Sequence, residues 1–95
     1  MENELKINNM KRVLYFSTAW CGPCKTFKPV VQQVSQETGI PVTYIDADQD
    51  KETAQKYSIN SVPTIVIVDA VGSILYRNAG IMPKGQLSQL LRAIG

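Results

Sequence analysis

An α/β domain with a mixed sheet and the element order β-α-β-α-β-β-α is the fold class that the sequence predicts, and three observations carry it. A near-continuous apolar run, Val13-Leu14-Tyr15-Phe16, is followed by apolar positions at helical spacing (Cys24, Phe27, Val31, Val34) and then by a second strand-like run, which together make one βαβ unit. Thr64 to Val68 is the most strand-like stretch of the chain, and a short turn-rich segment, Asp69-Ala70-Val71-Gly72, folds it back onto Ser73 to Arg77 as a hairpin. A closing stretch near Pro83 to Ala93 places Leu87, Leu90, Leu91 and Ile94 on one helical face. A strand–helix–strand crossover makes parallel neighbours and a hairpin makes antiparallel ones, so the sheet is mixed.

Each element has its own justification. Residues 1–10 alternate only at Leu5 and Ile7 and read as a short edge strand or a flexible tail, so the sheet has four strands, or five if this segment joins it. Residues 11–17 form the first firm strand, expected to be central because its apolar run suits burial on both faces. The helix that follows runs from about Gly22 to Thr38, where Gly39 supplies a left-handed cap. Pro29 lies inside it and removes the N–H that would reach the Lys25 carbonyl. Ile40 to Asp46 is the second strand, and Asp46, Asp48 and Asp50 lead into a short helix from about Lys51 to Tyr57, an aspartate there accepting from the free N–H groups of the first turn. Ser58 to Ser61 is a loop before Val62-Pro63, and Pro83 suits the opening turn of the last helix. No repeat, linker or low-complexity tract divides the chain, and residues 1–95 are expected to be one domain.

Composition excludes several function classes. At 95 residues and 44% hydrophobic, the chain holds one core. A net charge of +2, with Lys11-Arg12 the only adjacent basic pair, leaves no stripe for nucleic acid. No apolar run is long enough for a membrane span, and the N-terminus shows neither an apolar leader core nor a small-residue cleavage site, so the cytoplasm is the expected location. The 2 cysteines cannot build a disulfide framework, and without histidine or further cysteines they cannot complete a tetrahedral metal site. Asp46 to Asp50 mimics the opening of a calcium loop, yet Lys51 stands where glycine is required and Tyr57 where the bidentate glutamate should be.

Those two cysteines, Cys21 and Cys24, sit where a strand turns into a helix. The unpaired N–H groups and positive dipole end of a helix start favour negative charge, so Cys21 is expected to ionise more easily than a free thiol. A thiolate attacks disulfides, and a second thiol two residues further on closes the ring and expels the product.

Trp20-Cys21-Gly22-Pro23-Cys24-Lys25 resembles the active-site motif of the thioredoxin family. Phe16, Pro29, the segment Asp48 to Tyr57, Val62-Pro63-Thr64, Gly80 and Lys84-Gly85-Gln86-Leu87 also fall where a thioredoxin has similar residues, and the resemblance covers about residues 11 to 94. It implies a thioredoxin fold and a protein-disulfide reductase in which Cys21 attacks a substrate disulfide at the surface and Cys24 resolves the mixed disulfide. No cofactor beyond the Cys21–Cys24 disulfide is implied. The resemblance further implies a cis bond before Pro63 and a substrate rim of Trp20, Val62, Pro63, Gly80 and Ile81, with Val62 offering its backbone to an extended segment. Protein disulfides would be the substrates and an NADPH-dependent thioredoxin reductase the electron donor, with the chain a monomer that binds neither nucleic acid nor membrane. Gly22-Pro23 resembles the reducing branch of the superfamily.

Two departures stand out. Where many thioredoxins carry a buried aspartate under the cysteines and a lysine nearby, this chain has Tyr15 and Tyr44, both expected in the core and neither expected to act in catalysis. A phenol is a poor base at neutral pH. The usual first strand and helix are also compressed into about eleven positions. The alternative function is a binding module or assembly subunit on the same fold with little use of its thiols.

Overall fold

A computed structural model of the chain describes residues 11–94. The strand or tail anticipated at residues 1–10 lies outside them. The elements are β1 (Arg12–Ser17), α1 (Gly22–Thr38), β2 (Val42–Asp46), α2 (Lys51–Lys56), β3 (Thr64–Val68), β4 (Ile74–Ala79) and α3 (Lys84–Ile94), in the anticipated order. The strands lie side by side as β2-β1-β3-β4. β1 and β2 are parallel (Tyr15↔Tyr44), whereas β3 runs antiparallel to β1 (Tyr15↔Ile65) and to β4 (Ile65↔Asn78).

Strand alternation sorts the core into two layers. Val13 and Tyr15 of β1 and Ile65 and Ile67 of β3 point to one face, where Phe27, Val31 and Val34 of α1 and Leu87 and Leu91 of α3 cover them. The intervening residues Leu14, Phe16, Val66 and Val68 point to the other face, against Tyr57, Ile59 and Val62. All five residues of β3 are buried, which explains why its sequence is apolar at every step rather than alternate. Leu90 and Ile94 pack at the margin of the first layer, completing the apolar face anticipated for α3.

The local signals read from sequence set the ends of the elements. Gly39 has φ +76° and donates its N–H to the Ser35 carbonyl, ending α1. The Asp50 carboxylate accepts from the Thr53 N–H at the start of α2, and Asp46 accepts from the N–H groups of Asp48 and Gln49, so the acidic run is used for capping and turning. In the hairpin, Asp69 accepts from Val71 and Ser73 through its side chain. β4 extends two residues beyond the anticipated Arg77, because Asn78 and Ala79 continue the ladder opposite Ile65 and Thr64. Partner geometry, not the propensity of Asn and Ala, decides that end.

Tyr44 corrects the expectation of a core residue: it is 41% exposed. Among the described strands β2 lies at the edge of the sheet, so the Tyr44 ring is covered only in part, by an edge contact with Tyr15 at 5.8 Å and by the Lys28 ammonium at 5.2 Å. Tyr15 itself is fully buried, as expected.

Candidate active site

The site begins where β1 ends. Thr18 to Trp20 turn the chain out of the sheet, the Cys21 N–H donating to the Thr18 carbonyl at 3.3 Å. Cys21 then takes the N-cap position of α1 with extended backbone (φ −85°, ψ 106°), and Pro23 falls in the first turn, where its missing N–H costs nothing. The Cys21 Sγ accepts the backbone N–H of Cys24 at 3.1 Å. A sulfur therefore does what an aspartate or serine oxygen does at most helix starts: it satisfies one of the orphan donors. The first turn of α1 carries no acidic residue to offset the positive end of the dipole.

Cys21 and Cys24 are disulfide-bonded, with their Cα atoms 5.3 Å apart. Both are 3% exposed, so in the bridged form the surface presentation anticipated for Cys21 is not found, and accessibility does not distinguish the two cysteines. Their anchorage does. The Tyr15 hydroxyl, rising from β1 beneath the pair, donates to the Cys24 carbonyl at 2.7 Å. Burial, reinforced by the neighbouring Tyr44 phenol, pushes the Tyr15 hydroxyl up to about 12, and burial raises Tyr44 as well. Tyr15 is thus a permanent donor and not a base at neutral pH.

The other sequence-predicted residues differ in their exposure. Trp20 is 72% exposed and Ile81 63% exposed, while Val62 is half-buried and Pro63 buried. The Val62–Pro63 peptide bond is cis, as the resemblance implied. Trp20, Thr18 and Val62 line one open depression together with Asp48. Gly80, at φ +93°, donates its N–H to the Pro63 carbonyl at 2.7 Å, which ties the end of β4 to the start of β3. Glycine adopts that backbone without the strain a side chain would bring. Lys25 and Lys28 face solvent, as expected.

Two features escaped the sequence reading. Asp48 accepts from the Trp20 indole N–H at 2.8 Å and so holds the exposed ring in one orientation. The signal was faint: of three aspartates in the acidic run, Asp48 is the one that neither caps nor turns the local backbone. The Thr18 hydroxyl is buried and has no hydrogen-bond partner among the described residues. Among the described residues no group of three or more His, Cys, Asp or Glu side chains is arranged to hold a metal, and no helix is long and apolar enough to cross a membrane.

Comparison with known proteins agrees with this geometry. The family model for thioredoxin matches residues 1–93. A thioredoxin from Bacillus subtilis is 37% identical over 78 residues, covering 80% of this chain and 74% of its own. One from Mycoplasmoides gallisepticum is 33% identical over 91 residues, covering 95% and 90%. Among solved structures, a mutant thioredoxin from Halobacterium salinarum superposes with a TM-score of 0.85 at 27% identity, covering 98% of this chain and 81% of that one. The thioredoxin of Fasciola hepatica does so with a TM-score of 0.82 at 28% identity, covering 99% and 90%. Fold, cysteine pair and relatives converge: the chain belongs to the thioredoxin family and is a thiol–disulfide oxidoreductase that reduces protein disulfides.

Proposed function

We propose that Cys21 is the nucleophile and Cys24 the resolving thiol of this reductase. The Cys21 thiolate attacks one sulfur of a substrate disulfide, the substrate S–S bond breaks, and one substrate thiolate leaves. Cys24 gives its proton to water and attacks the Cys21 Sγ, the mixed disulfide breaks, and the second substrate thiolate leaves. Two electrons have then passed from the dithiol to the substrate. The single observation that carries this assignment is the Cys21 sulfur at the N-cap of α1, accepting the Cys24 N–H at 3.1 Å with no acid in the first turn. Negative charge on that sulfur is favoured by the same N–H groups and dipole that stabilise anions at helix starts.

Trp20, Val62, Pro63, Gly80 and Ile81 form the substrate rim in this reading, with Gly22 and Pro23 opening the first turn of α1 between the cysteines. The reading is supported by the exposure of two large apolar side chains, Ile81 and Trp20, the latter next in sequence to the buried Cys21. Residues 1–95 act as one domain, as a monomer, in the cytoplasm and without a cofactor. The dithiol is recharged from NADPH through a thioredoxin reductase.

Insulin reduction driven by dithiothreitol tests the assignment. The wild type should precipitate the insulin B chain well above the rate without protein, and Cys21→Ser should not. Equal, uncatalysed rates for both would sink it. With NADPH and thioredoxin reductase in place of dithiothreitol, absorbance at 340 nm should fall with turnover; a response only to glutathione would assign a different electron source.

A further inference from the structure

We propose that Tyr15 is a positioning residue for the resolving step: its buried hydroxyl holds the Cys24 peptide against the sheet, so Cys24 stays in place when the bridge opens. The proposal rests on the roles given above to Cys21 and Cys24. Tyr15 sits on β1, a strand paired on both sides, and its ring packs against Phe27 and Tyr44 at 5.9 and 5.8 Å. That makes the hydroxyl a fixed point. It donates to the Cys24 carbonyl at 2.7 Å, while the N–H of the same residue donates to the Cys21 sulfur at 3.1 Å. The backbone of Cys24 is therefore held through both of its polar groups. Cys21 has a weaker backbone anchor, its N–H reaching the Thr18 carbonyl at 3.3 Å, in a loop whose neighbours Ala19, Trp20 and Gly22 are exposed.

The asymmetry suits the chemistry. When a substrate is bound to Cys21, the Cys24 sulfur must approach the Cys21 sulfur along the axis of the bond that breaks, and small displacements are costly in such steps. A tether on Cys24 preserves that approach while Cys21 moves toward the substrate. Tyr15 takes no proton; it contributes orientation alone.

The test uses the reduced full chain and one equivalent of 5,5′-dithiobis(2-nitrobenzoate), followed by stopped-flow absorbance at 412 nm. Cys21 attack releases the first thionitrobenzoate and Cys24 attack on the mixed disulfide releases the second. In Tyr15→Phe, which keeps the ring and removes the hydroxyl, the first phase should stay within about twofold of wild type and the second should slow by about three- to tenfold, the range set by one buried hydrogen bond. Tyr44→Phe, which touches the same ring without bonding Cys24, should leave both phases unchanged. A folded Tyr15→Phe with an unaltered second phase, or with both phases slowed alike, overturns the proposal. Should that variant not fold, hydroxyl-proton exchange of Tyr15 in reduced wild type decides: slow exchange supports the tether, and exchange at the rate of a solvent-exposed phenol overturns it. A wild type lacking a fast first phase overturns the exchange assignment itself, and the proposal with it.

Discussion

Reducing the Cys21–Cys24 bridge should lower the melting temperature by an amount that follows from the ring and its position. The cysteines are 3 apart in sequence, so the bridge closes a ring of four residues, and its Cα atoms lie 5.3 Å apart across the first turn of α1. In the unfolded chain, closing so short a ring removes conformational entropy that stabilises the folded protein by about 2 kcal/mol. In the folded chain the helix already holds the two residues together. The reduced protein recovers part of the difference, because a thiolate at the helix start is worth about 0.3–1 kcal/mol. The net advantage of the bridged form is then about 1–1.5 kcal/mol, or roughly 5–8 °C for a domain of this size. By the same cycle, the folded chain should close its disulfide about tenfold more readily than the unfolded chain. Thermal unfolding by far-UV circular dichroism at pH 7, with and without a phosphine reductant, reads the first figure; exchange with glutathione in buffer and in urea reads the second. A reduced protein that melts at or above the oxidised one would refute the reasoning, since folding would then favour separated sulfurs.

Three other outcomes follow from the packing. Trp20→Ala removes a side chain that is 72% exposed, so stability should change by less than about 1 kcal/mol while insulin reduction falls about five- to tenfold through lost docking surface; melting curves and turbidity rates separate the two. Tyr15 has a folded value of about 12 against an ordinary 10.0, so the unfolded chain loses this proton first as pH rises; stability present below about pH 10 should fall by about 2–3 kcal/mol by pH 12. Urea midpoints across that window should fall less steeply in Tyr15→Phe than in wild type. Leu87→Ala opens a cavity between α3 and the sheet, where Leu87 is fully buried, and should cost about 2–5 kcal/mol in urea unfolding.

Much of the architecture was legible because its signals are local. A near-continuous apolar run marked β1 and helical apolar spacing marked α1 and α3; Gly39 marked the end of α1; the aspartates Asp46, Asp48 and Asp50 marked the approach to α2; and Asp69 to Gly72 marked the hairpin. Features that depend on remote partners were not legible. The end of β4 is set by pairing with β3. Tyr44 looked like a core residue because its own strand is apolar, but strand order puts it at the edge of the described sheet. At the site, the cysteine spacing and the helix start could be read directly. The Trp20–Asp48 bond joins residues 28 apart and the Tyr15–Cys24 bond joins residues 9 apart, and no periodicity links them. Burial of Cys21 in the bridged form was hidden for the same reason, since neighbouring segments cover it only after folding.

Alkylation of Cys21 as a function of pH tests the central claim most directly. The reduced protein is mixed with iodoacetamide between pH 5 and 10 and the modified residue is identified by mass spectrometry. Capping by the Cys24 N–H and the uncompensated start of α1 predict selective modification of Cys21 with a midpoint clearly below the free-thiol value of about 8.5. A midpoint at or above that value, or faster modification of Cys24, would contradict the account.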